Sequence, residues 1–448
     1  MLLNFRNWMT QSHFLIGAGL LRVCFGIIII YNYLIHYRQR EFLWGDDGVN
    51  LYTDEFKSSV LSLYNLSSSP LFFDLIYHLG ILFAFIYLIG YKGRCFSILN
   101  YITFYSLYVR MNHISDGGDN LLSICLFMLI FANTTMYFSV DAEKLRRRKK
   151  AKKNDFITQL EMMVHNFVVL ACIVQLCIVY FFSGCYQLMG ELWQSGTAIY
   201  YISQVDEFSR PILQHLTENY LIVTIIFSYL SIITKLAFPF TILNKKVKPF
   251  MVASMVFFHG GIGIGMGLLT FSIVMICMEC LVFTDSEYQK MYQNTLRWIR
   301  YRQLVMKRAT RKFGFKYLRA QQIIVFYDGW CPMCRGIVKR IDAMDYFRLI
   351  RCVSFRMPNI IDTYQLDPQE VELRMHSIGV NGGMPRKGIS SVVHISQKLI
   401  PLWVVLPFIA VSKWLGIGGY VYDYIAKNRK LIPVNHCNDS CEITPTVK

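Results

Sequence analysis

The sequence predicts a mainly α-helical, polytopic membrane bundle of about eight spans, followed by a small α/β domain. Of its 448 residues, 54% are hydrophobic, and the mean hydropathy of +0.35 is too high for an ordinary soluble enzyme. Apolar runs long enough to cross a bilayer recur as far as residue 283. From about residue 320 the composition changes to short β-branched runs and amphipathic segments, which indicates a second, soluble part.

The predicted membrane bundle covers residues 13–283. Residues 1–12 place Trp8 and other apolar side chains among polar ones, which is typical of a short interfacial amphipathic helix. The run 250–283 is too long for one untilted helix and just long enough for a hairpin of two short ones. The predicted spans are residues 14–36, 70–90, 95–111, 121–140, 156–184, 220–240 and two within 250–283.

Basic residues cluster beside the apolar spans and account for the net charge of +17. The runs 144–153 and 297–319 are typical of the cytoplasmic rim of a membrane protein, so we expect lipid contact and no nucleic acid. Residues 284–320 form a basic connecting segment. If residues 250–283 are a hairpin, the domain at 321–448 is cytoplasmic; if they cross once, it lies outside. The positive-inside rule, by which basic loops lie in the cytoplasm, favours the first arrangement. The membrane is expected to be a plasma or inner membrane.

A pair of cysteines directly follows the first strand of the C-terminal domain. Residues 323–327 are apolar and β-branched, an Asp-Gly pair ends the run, and Cys331-Pro332-x-Cys334 opens a segment at helical spacing. Positive charge at a helix N-terminus stabilises a thiolate, which is the nucleophile in disulfide exchange. Cys334 lies on the same helical face and can resolve a mixed disulfide. The order strand, turn, helix therefore predicts Cys331 and Cys334 as catalytic thiols.

Three neighbours are expected to support these thiols. Asp328 and Gly329 form the turn, and Pro332 fits the first helical turn because its missing N–H needs no partner there. Two other interpretations stay open, since Cys-x-x-Cys also forms half of a zinc site and buried thiols can be inert. No metal site is predicted. A second pair, Cys437 and Cys441, either exchanges with the first as a tail that reaches back or has no role.

Further elements follow the cysteine motif, and two motifs together resemble a known family. Strands are expected at 348–355 and 374–380, and helices at 388–396, 407–415 and 419–428. The runs Tyr327-Asp328-Gly329-x-Cys331-x-x-Cys334 and Tyr422-Asp423-Tyr424-Ile425-Ala426-Lys427-Asn428-Arg429 resemble the DCC family of thiol-disulfide oxidoreductases. The resemblance implies a thioredoxin-like domain with a redox-active disulfide. Thioredoxins place a proline that faces the active-site sulfurs just before the strand that here begins near Met375, and this sequence has none.

Residues 10–283 resemble the HTTM domain of vitamin K-dependent γ-carboxylases and of SdpB-like proteins that help to mature a secreted toxin peptide. The motifs are Leu21-Arg22-x-x-x-Gly26, Asn112-His113 with Gly117-Gly118-Asp119, and Tyr180-Phe181-Phe182-Ser183-Gly184. A polar residue near a membrane cavity leans towards function, although His113 could also be a polar helix cap. His259 lies beside paired glycines and has the same two interpretations, of which the structural one is favoured. The candidate membrane-site residues are Arg22, His113, Asp119, Gln187 and His259.

The combined prediction is a membrane-bound thiol-disulfide oxidoreductase that matures or exports a secreted peptide or toxin. Its expected partners are a protein or peptide thiol or disulfide, membrane lipids and accessory maturation proteins. The carboxylases carry a catalytic lysine a few residues after the Tyr-Phe-x-x-Gly run, where this chain has Tyr186 and Gln187, so a carboxylase-like transferase is disfavoured. A quinone is suggested as an electron partner only by analogy with the binding of vitamin K in the carboxylases. The alternative is a maturation or transport protein with a regulatory redox domain.

Overall fold

The computed structural model describes residues 8–49, 57, 60–110, 115–151, 155–313 and 320–428. Within the chain, residues 1–291 and 292–448 form two compact units, which are described separately below. The first is helical and the second carries a sheet. Of the predicted interfacial helix, residues 8–10 are helical, and residues 1–7 lie outside the described part of the chain.

The first unit is built from helices that follow the predicted apolar runs. Four of them are long and apolar enough to cross a membrane, or up to five spans if a bent pair counts as one. The predicted runs at 95–111 and 121–140 contain shorter helices, so the number of eight spans stays a prediction. The principal helices are Leu15–Ile35, Pro70–Ile89, Gly93–Tyr108, Gly117–Leu129, Ala142–Ala151, Phe156–Met189, Leu221–Thr241, Lys248–Gly265 and Leu269–Met278.

The long apolar run at 250–283 is divided between two helices. Lys248–Gly265 ends just before Gly267, whose φ of +77° is a conformation that residues with a side chain rarely adopt. A Cβ at this position would also lie 2.6 Å from Nε of Arg210. Leu269–Met278 follows directly, and the segment Leu269–Leu281 makes an angle of 101° with Asp285–Met306. The predicted division of this run into two short helices agrees with the structure.

Arg22 is fully buried, and its guanidinium donates hydrogen bonds to backbone carbonyls. Nε donates to the carbonyl of Thr134 at 3.2 Å, and Nη1 donates to those of Tyr87, at 2.8 Å, and Leu88. Nη2 donates to the carbonyl of Phe138 at 2.6 Å. These carbonyls lie where a helix ends or where the chain turns, and that of Tyr87 also accepts a hydrogen bond from the N–H of Gly90 at 3.1 Å. The partner of Arg22, a candidate membrane-site residue, is therefore the backbone.

We predict that Arg22→Met destabilises the first unit. The substitution leaves several buried carbonyls without a donor, at a cost of about 2–4 kcal/mol in unfolding free energy. Thermal unfolding of the protein in detergent should show a melting temperature lower by about 5 °C or more. Arg38, which is exposed in the short helix Tyr37–Gln39, is the matched control, and Arg38→Met should change the melting temperature little. Equal shifts in both variants would contradict the structural role.

The second unit contains a four-stranded mixed sheet in the order β2-β1-β3-β4. Strand β1 (Ile323–Tyr327) pairs parallel with β2 (Ile350–Ser354) and antiparallel with β3 (His376–Gly379), and β3 pairs antiparallel with β4 (Arg386–Lys387). The helix Pro332–Met344 connects the two parallel strands. The sheet is therefore mixed, with one parallel and two antiparallel pairings. β4 was not predicted, because it has only two residues and both are exposed.

Strand β1 lies at the centre of the sheet because both of its faces are apolar. Ile323 and Val325 pack on one face with Ile341, and Ile324 and Phe326 pack on the other with Phe355. Five further helices complete the unit, of which the first two were not predicted. They are Ile360–Thr363, Pro368–Leu373, Ile389–Lys398, Leu406–Trp414 and Ile417–Lys427. The other three agree with the predicted helices within three residues at each end.

Candidate active site

The two cysteines of the first motif lie where β1 leads into the helix Pro332–Met344. Cys331 is the residue that caps this helix, and its Sγ accepts a hydrogen bond of 3.2 Å from the backbone N–H of Cys334. Pro332 occupies the first turn, as the sequence predicted. An N–H donor and the N-terminus of a helix thus meet at the Cys331 sulfur.

Burial differs little between the two cysteines. The exposed fraction is 0% for Cys331 and 9% for Cys334. Their neighbours Trp330 and Met333 are exposed. A disulfide of another molecule therefore reaches the Cys331 sulfur only when the surrounding side chains or the Cys331 turn move. The sequence pattern predicted the position of this thiol at the helix start but gave no sign of its burial.

The turn before the cysteines is held by a buried carboxylate. Oδ1 of Asp328 accepts a hydrogen bond from the N–H of Trp330 at 2.9 Å, and the Asp328 carbonyl accepts one from the N–H of Cys331 at 3.3 Å. A Cβ on Gly329 would lie 2.7 Å from Oγ of Ser354, so β2 leaves little room for a side chain here. Asp328 and Gly329 therefore position the backbone that carries Cys331, as expected of supporting residues.

Arg356 is a part of this site that the sequence analysis missed. Its Nη2 lies 3.2 Å from Oδ2 of Asp328, its Nη1 lies 2.7 Å from Oε1 of Glu372, and its guanidinium stacks 4.4 Å from the centre of the Trp330 ring. Burial lowers the pKa of Arg356, but the hydrogen bonds and charges of the two carboxylates outweigh it and raise the pKa overall. Arg356 neutralises the buried carboxylate beneath the cysteine turn.

A mainly apolar pocket of about 80 Å³ opens beside Cys334. Its walls come from β1, the helix Pro332–Met344 and the last described helix, Ile417–Lys427. One charged side chain, Asp328, is among the residues that line it. Such a pocket suits an apolar group that lies beside the Cys334 side chain. The lining residues are Phe326, Tyr327, Asp328, Met333, Cys334, Ile337, Val338, Ile341, Val371, Met375, Tyr422, Ile425 and Ala426.

The second motif that resembles the DCC family includes Tyr422 and Asp423, and its helix forms the other wall of this pocket. The Tyr422 hydroxyl accepts a hydrogen bond of 2.8 Å from the N–H of Met375, and the Asp423 carboxylate accepts two from Arg374, at 2.6 and 2.9 Å. Met375 directly precedes β3, where thioredoxins have a proline. A proline has no N–H to donate, so a methionine here permits a bond that ties the last helix to the sheet.

The four described membrane-site candidates have separate surroundings. Arg22 binds backbone carbonyls, as described above. Oδ2 of Asp119 accepts from the N–H of Asp116 at 3.1 Å in a helix cap, and Nε2 of Gln187 donates to Oγ of Ser231 at 3.2 Å. Each of these three candidates thus has its own partners, and the structure does not bring the three together. His113 lies outside the described residues, as do Cys437 and Cys441.

His259 belongs to a buried polar group drawn from three elements. The Tyr180 hydroxyl donates to Oε1 of Glu279 at 2.9 Å and lies 3.1 Å from Nε2 of His259. Because the hydroxyl has one hydrogen, Nε2 is the donor in the second bond. Across the described part of the chain, Nδ1 of His259 and Oε2 of Glu279 have no hydrogen-bond partner. Glu279 lies in the predicted apolar run 250–283, and its partner Tyr180 lies 99 residues away in the chain.

Lys235 reaches the Tyr-Phe-x-x-Gly motif from the helix Leu221–Thr241. Its Nζ donates to Oγ of Ser183 at 3.2 Å and lies 5.0 Å from the centre of the Phe258 ring. The sequence analysis missed this lysine because it is about 50 residues from the motif. Among the residues that the structure describes, no group of three or more His, Cys, Asp or Glu side chains could hold a metal ion.

We predict that Arg356→Met destabilises the second unit by about 2–3 kcal/mol, because it leaves the Asp328 carboxylate buried without its ion pair. Asp328→Asn added to this variant should restore most of the loss, since the remaining side chain is neutral. Chemical unfolding of the single and double variants measures both effects as a double-mutant cycle. Arg351→Met, at an exposed position of β2, is the control. A double variant no more stable than Arg356→Met would contradict this role.

Comparisons with known proteins agree with both resemblances. The family described as HTTM domain matches residues 15–287, and the family described as DCC1-like thiol-disulfide oxidoreductase matches residues 325–434. The "Uncharacterized protein YitO" of Bacillus subtilis (strain 168) is 25% identical over 220 residues, which are 47% of this chain and 67% of that protein. No solved structure matches. Because the HTTM match covers more than half of its length, the chain belongs to the HTTM family, and its C-terminal part is a DCC1-like thiol-disulfide oxidoreductase domain.

Proposed function

We propose that the protein is a membrane-bound thiol-disulfide oxidoreductase in which Cys331 attacks and Cys334 resolves. The observation that carries the proposal is the position of Cys331 at the start of the helix Pro332–Met344, with the N–H of Cys334 donating to its sulfur. Asp328, Gly329 and Pro332 position this turn. The family matches support a membrane redox protein that acts on protein thiols.

The exchange proceeds in two displacements. The Cys331 thiolate attacks one sulfur of a substrate disulfide, forms a mixed disulfide and releases the other substrate sulfur as a thiolate, which takes a proton from water. The Cys334 thiolate then attacks the Cys331 sulfur and releases the second substrate thiol. Two electrons pass to the substrate, and the protein is left with a Cys331–Cys334 disulfide. An external dithiol reduces it again, and the reverse sequence oxidises a substrate.

The side of the membrane decides the direction of this exchange. The prediction of eight spans between residues 13 and 283, together with the basic segment 284–320, favours a cytoplasmic domain at 321–448. The helix Asp285–Phe313, which is rich in Lys and Arg, supports this assignment. A cytoplasmic domain faces a reducing thiol pool and acts as a reductant. We therefore propose reduction of substrate disulfides as the physiological direction.

The biological setting that we propose is the maturation or export of a secreted peptide or toxin. It rests on the resemblance of the membrane part to SdpB-like proteins, with a thioredoxin-like domain that receives the peptide. Accessory maturation proteins and the exchange of Cys437 and Cys441 with the first pair belong to the same proposal. A quinone as electron partner stays a prediction. None of the contacts of His259 or Gln187 supports it.

A second candidate function is a maturation or transport protein whose redox domain is regulatory. The complete burial of Cys331 favours it, since a regulatory thiol pair needs to react less often than a catalytic one. The two candidates differ in turnover on a dithiol substrate. A carboxylase-like activity is less favoured, because Gln187 cannot act as a base and is bonded to Ser231.

We predict that Cys334→Ser traps a partner on Cys331, because the mixed disulfide forms but is not resolved. Cys331→Ser should trap nothing and should lose turnover with a dithiol substrate by at least about a hundredfold. The measurement is mass spectrometry of disulfide-linked peptides from the full-length protein purified without reductant. If the domain is cytoplasmic, the trapped partners should be proteins whose linked cysteines face the cytoplasm.

Cys352→Ser is the matched control for this experiment. Cys352 lies on β2 of the same unit, and burial, together with the charges of Asp345 and Asp342, raises its pKa to about 12. It should therefore trap no partner, and its replacement should leave turnover unchanged. Trapping at Cys334 in the Cys331→Ser variant would reverse the assigned roles. A Cys331→Ser variant with full turnover would contradict the proposal.

A further inference from the structure

The last two described helices, Leu406–Trp414 and Ile417–Lys427, form a helix pair with a large exposed apolar face. Phe408 is 75% exposed, Trp414 is 84% exposed and Tyr420 is 78% exposed. No residue of the helix Leu406–Trp414 is buried. Contiguous apolar surface of this kind on a soluble domain usually marks a binding surface. The other exposed apolar residues of the pair and its connections are Trp403, Val404, Val411, Leu415, Ile417, Val421, Tyr424 and Ile425.

The exposed apolar residues recur at helical spacing. Phe408, Val411 and Leu415 are three and four residues apart, and so are Ile417, Tyr420 and Tyr424. Such a stripe normally faces the core of its own domain. Here the stripes face outward, while the pair is attached to the unit through its other side. The apolar stripe of each helix can therefore contact an apolar environment outside the unit.

The charges of the helix pair are suited to an anionic surface. Lys413 and Lys427 are exposed near the ends of the two helices, and the one acidic residue, Asp423, is bound by Arg374. The apolar face combines tryptophan and tyrosine, which are enriched where proteins meet the boundary between lipid headgroups and acyl chains. Aromatic and aliphatic residues flanked by lysine are typical of helices that lie in the plane of that boundary.

We propose that the helix pair binds the surface of a lipid bilayer that contains anionic headgroups. The apolar helices of the first unit hold the chain at a membrane, so the bilayer is present at a high effective concentration. Two basic residues and an ion-paired acid give the pair a positive charge, which attracts anionic lipid and repels an identical surface on a second copy. Lipid therefore fits this face better than self-association does.

The same surface lies next to the candidate active site. Tyr422, Ile425 and Ala426 line the pocket beside Cys334, whereas Tyr420 and Tyr424 of the same helix are exposed. Binding of the helix pair to a bilayer holds this pocket close to the lipid surface. The substrate class that follows, and this step rests on the proposed function, is a disulfide in a polypeptide that is itself bound to the membrane surface.

A photo-crosslinking experiment tests the proposal without any redox assay, so its result is independent of the exchange chemistry. Benzoylphenylalanine replaces Phe408 in one full-length variant and Met384, an exposed residue between β3 and β4, in the control. Both are reconstituted in nanodiscs that contain phosphatidylglycerol, illuminated and analysed by mass spectrometry. We expect a phospholipid adduct at position 408, with a yield at least about fivefold above that at position 384.

The contribution of charge is tested in the same nanodiscs. Lys413→Glu combined with Lys427→Glu should lower the adduct yield at position 408 by roughly tenfold, because each lysine near an anionic surface strengthens binding. In nanodiscs of phosphatidylcholine alone the same change should have little effect. Adducts to peptides of a second copy or of another protein, equal yields at positions 408 and 384, or no adduct would each overturn the proposal.

Discussion

The hydrogen bond from the Cys334 N–H to the Cys331 sulfur is the interaction on which the redox unit depends. It exists because β1 ends in a turn that places Cys331 directly before a helix. The Asp328 carboxylate holds this turn, and Arg356, two residues past the end of β2, keeps that carboxylate paired. The central strand, packed on both faces, supplies the rigid base. The sulfur is thus held at the positive end of a helix by contacts that reach across the sheet.

The membrane unit meets a different constraint, which is the burial of polar groups among apolar helices. Arg22 donates hydrogen bonds to carbonyls where helices end, and the side chains of Gln187 and Ser231 are hydrogen-bonded to each other. The group around Tyr180 differs, because His259 and Glu279 each keep a buried polar atom without a partner in the described part of the chain. Of the described candidates for a membrane site, His259 belongs to such an incompletely satisfied cluster, whereas Arg22, Asp119 and Gln187 have the hydrogen bonds given above.

Local patterns predicted much of this structure, and long-range contacts account for what they missed. Apolar runs predicted the long helices, and β-branched runs predicted β1, β2 and β3, because these patterns record burial. The strand β4 has two exposed residues and leaves no pattern. Arg356 and Lys235 were missed since each acts on a residue 28 to 52 positions away in the chain. The burial of Cys331 likewise depends on packing that no motif encodes.

The most direct test of the exchange chemistry is a redox titration of the Cys331–Cys334 pair in the full-length protein. The protein is equilibrated in glutathione buffers of defined potential, alkylated and digested, and the reduced and oxidised forms of the peptide that contains both cysteines are quantified by mass spectrometry. The account predicts one reversible transition between dithiol and intramolecular disulfide, with the two-electron slope of about 30 mV per tenfold change in ratio. A pair that stays reduced throughout, or that oxidises only by linking to other cysteines, would contradict it.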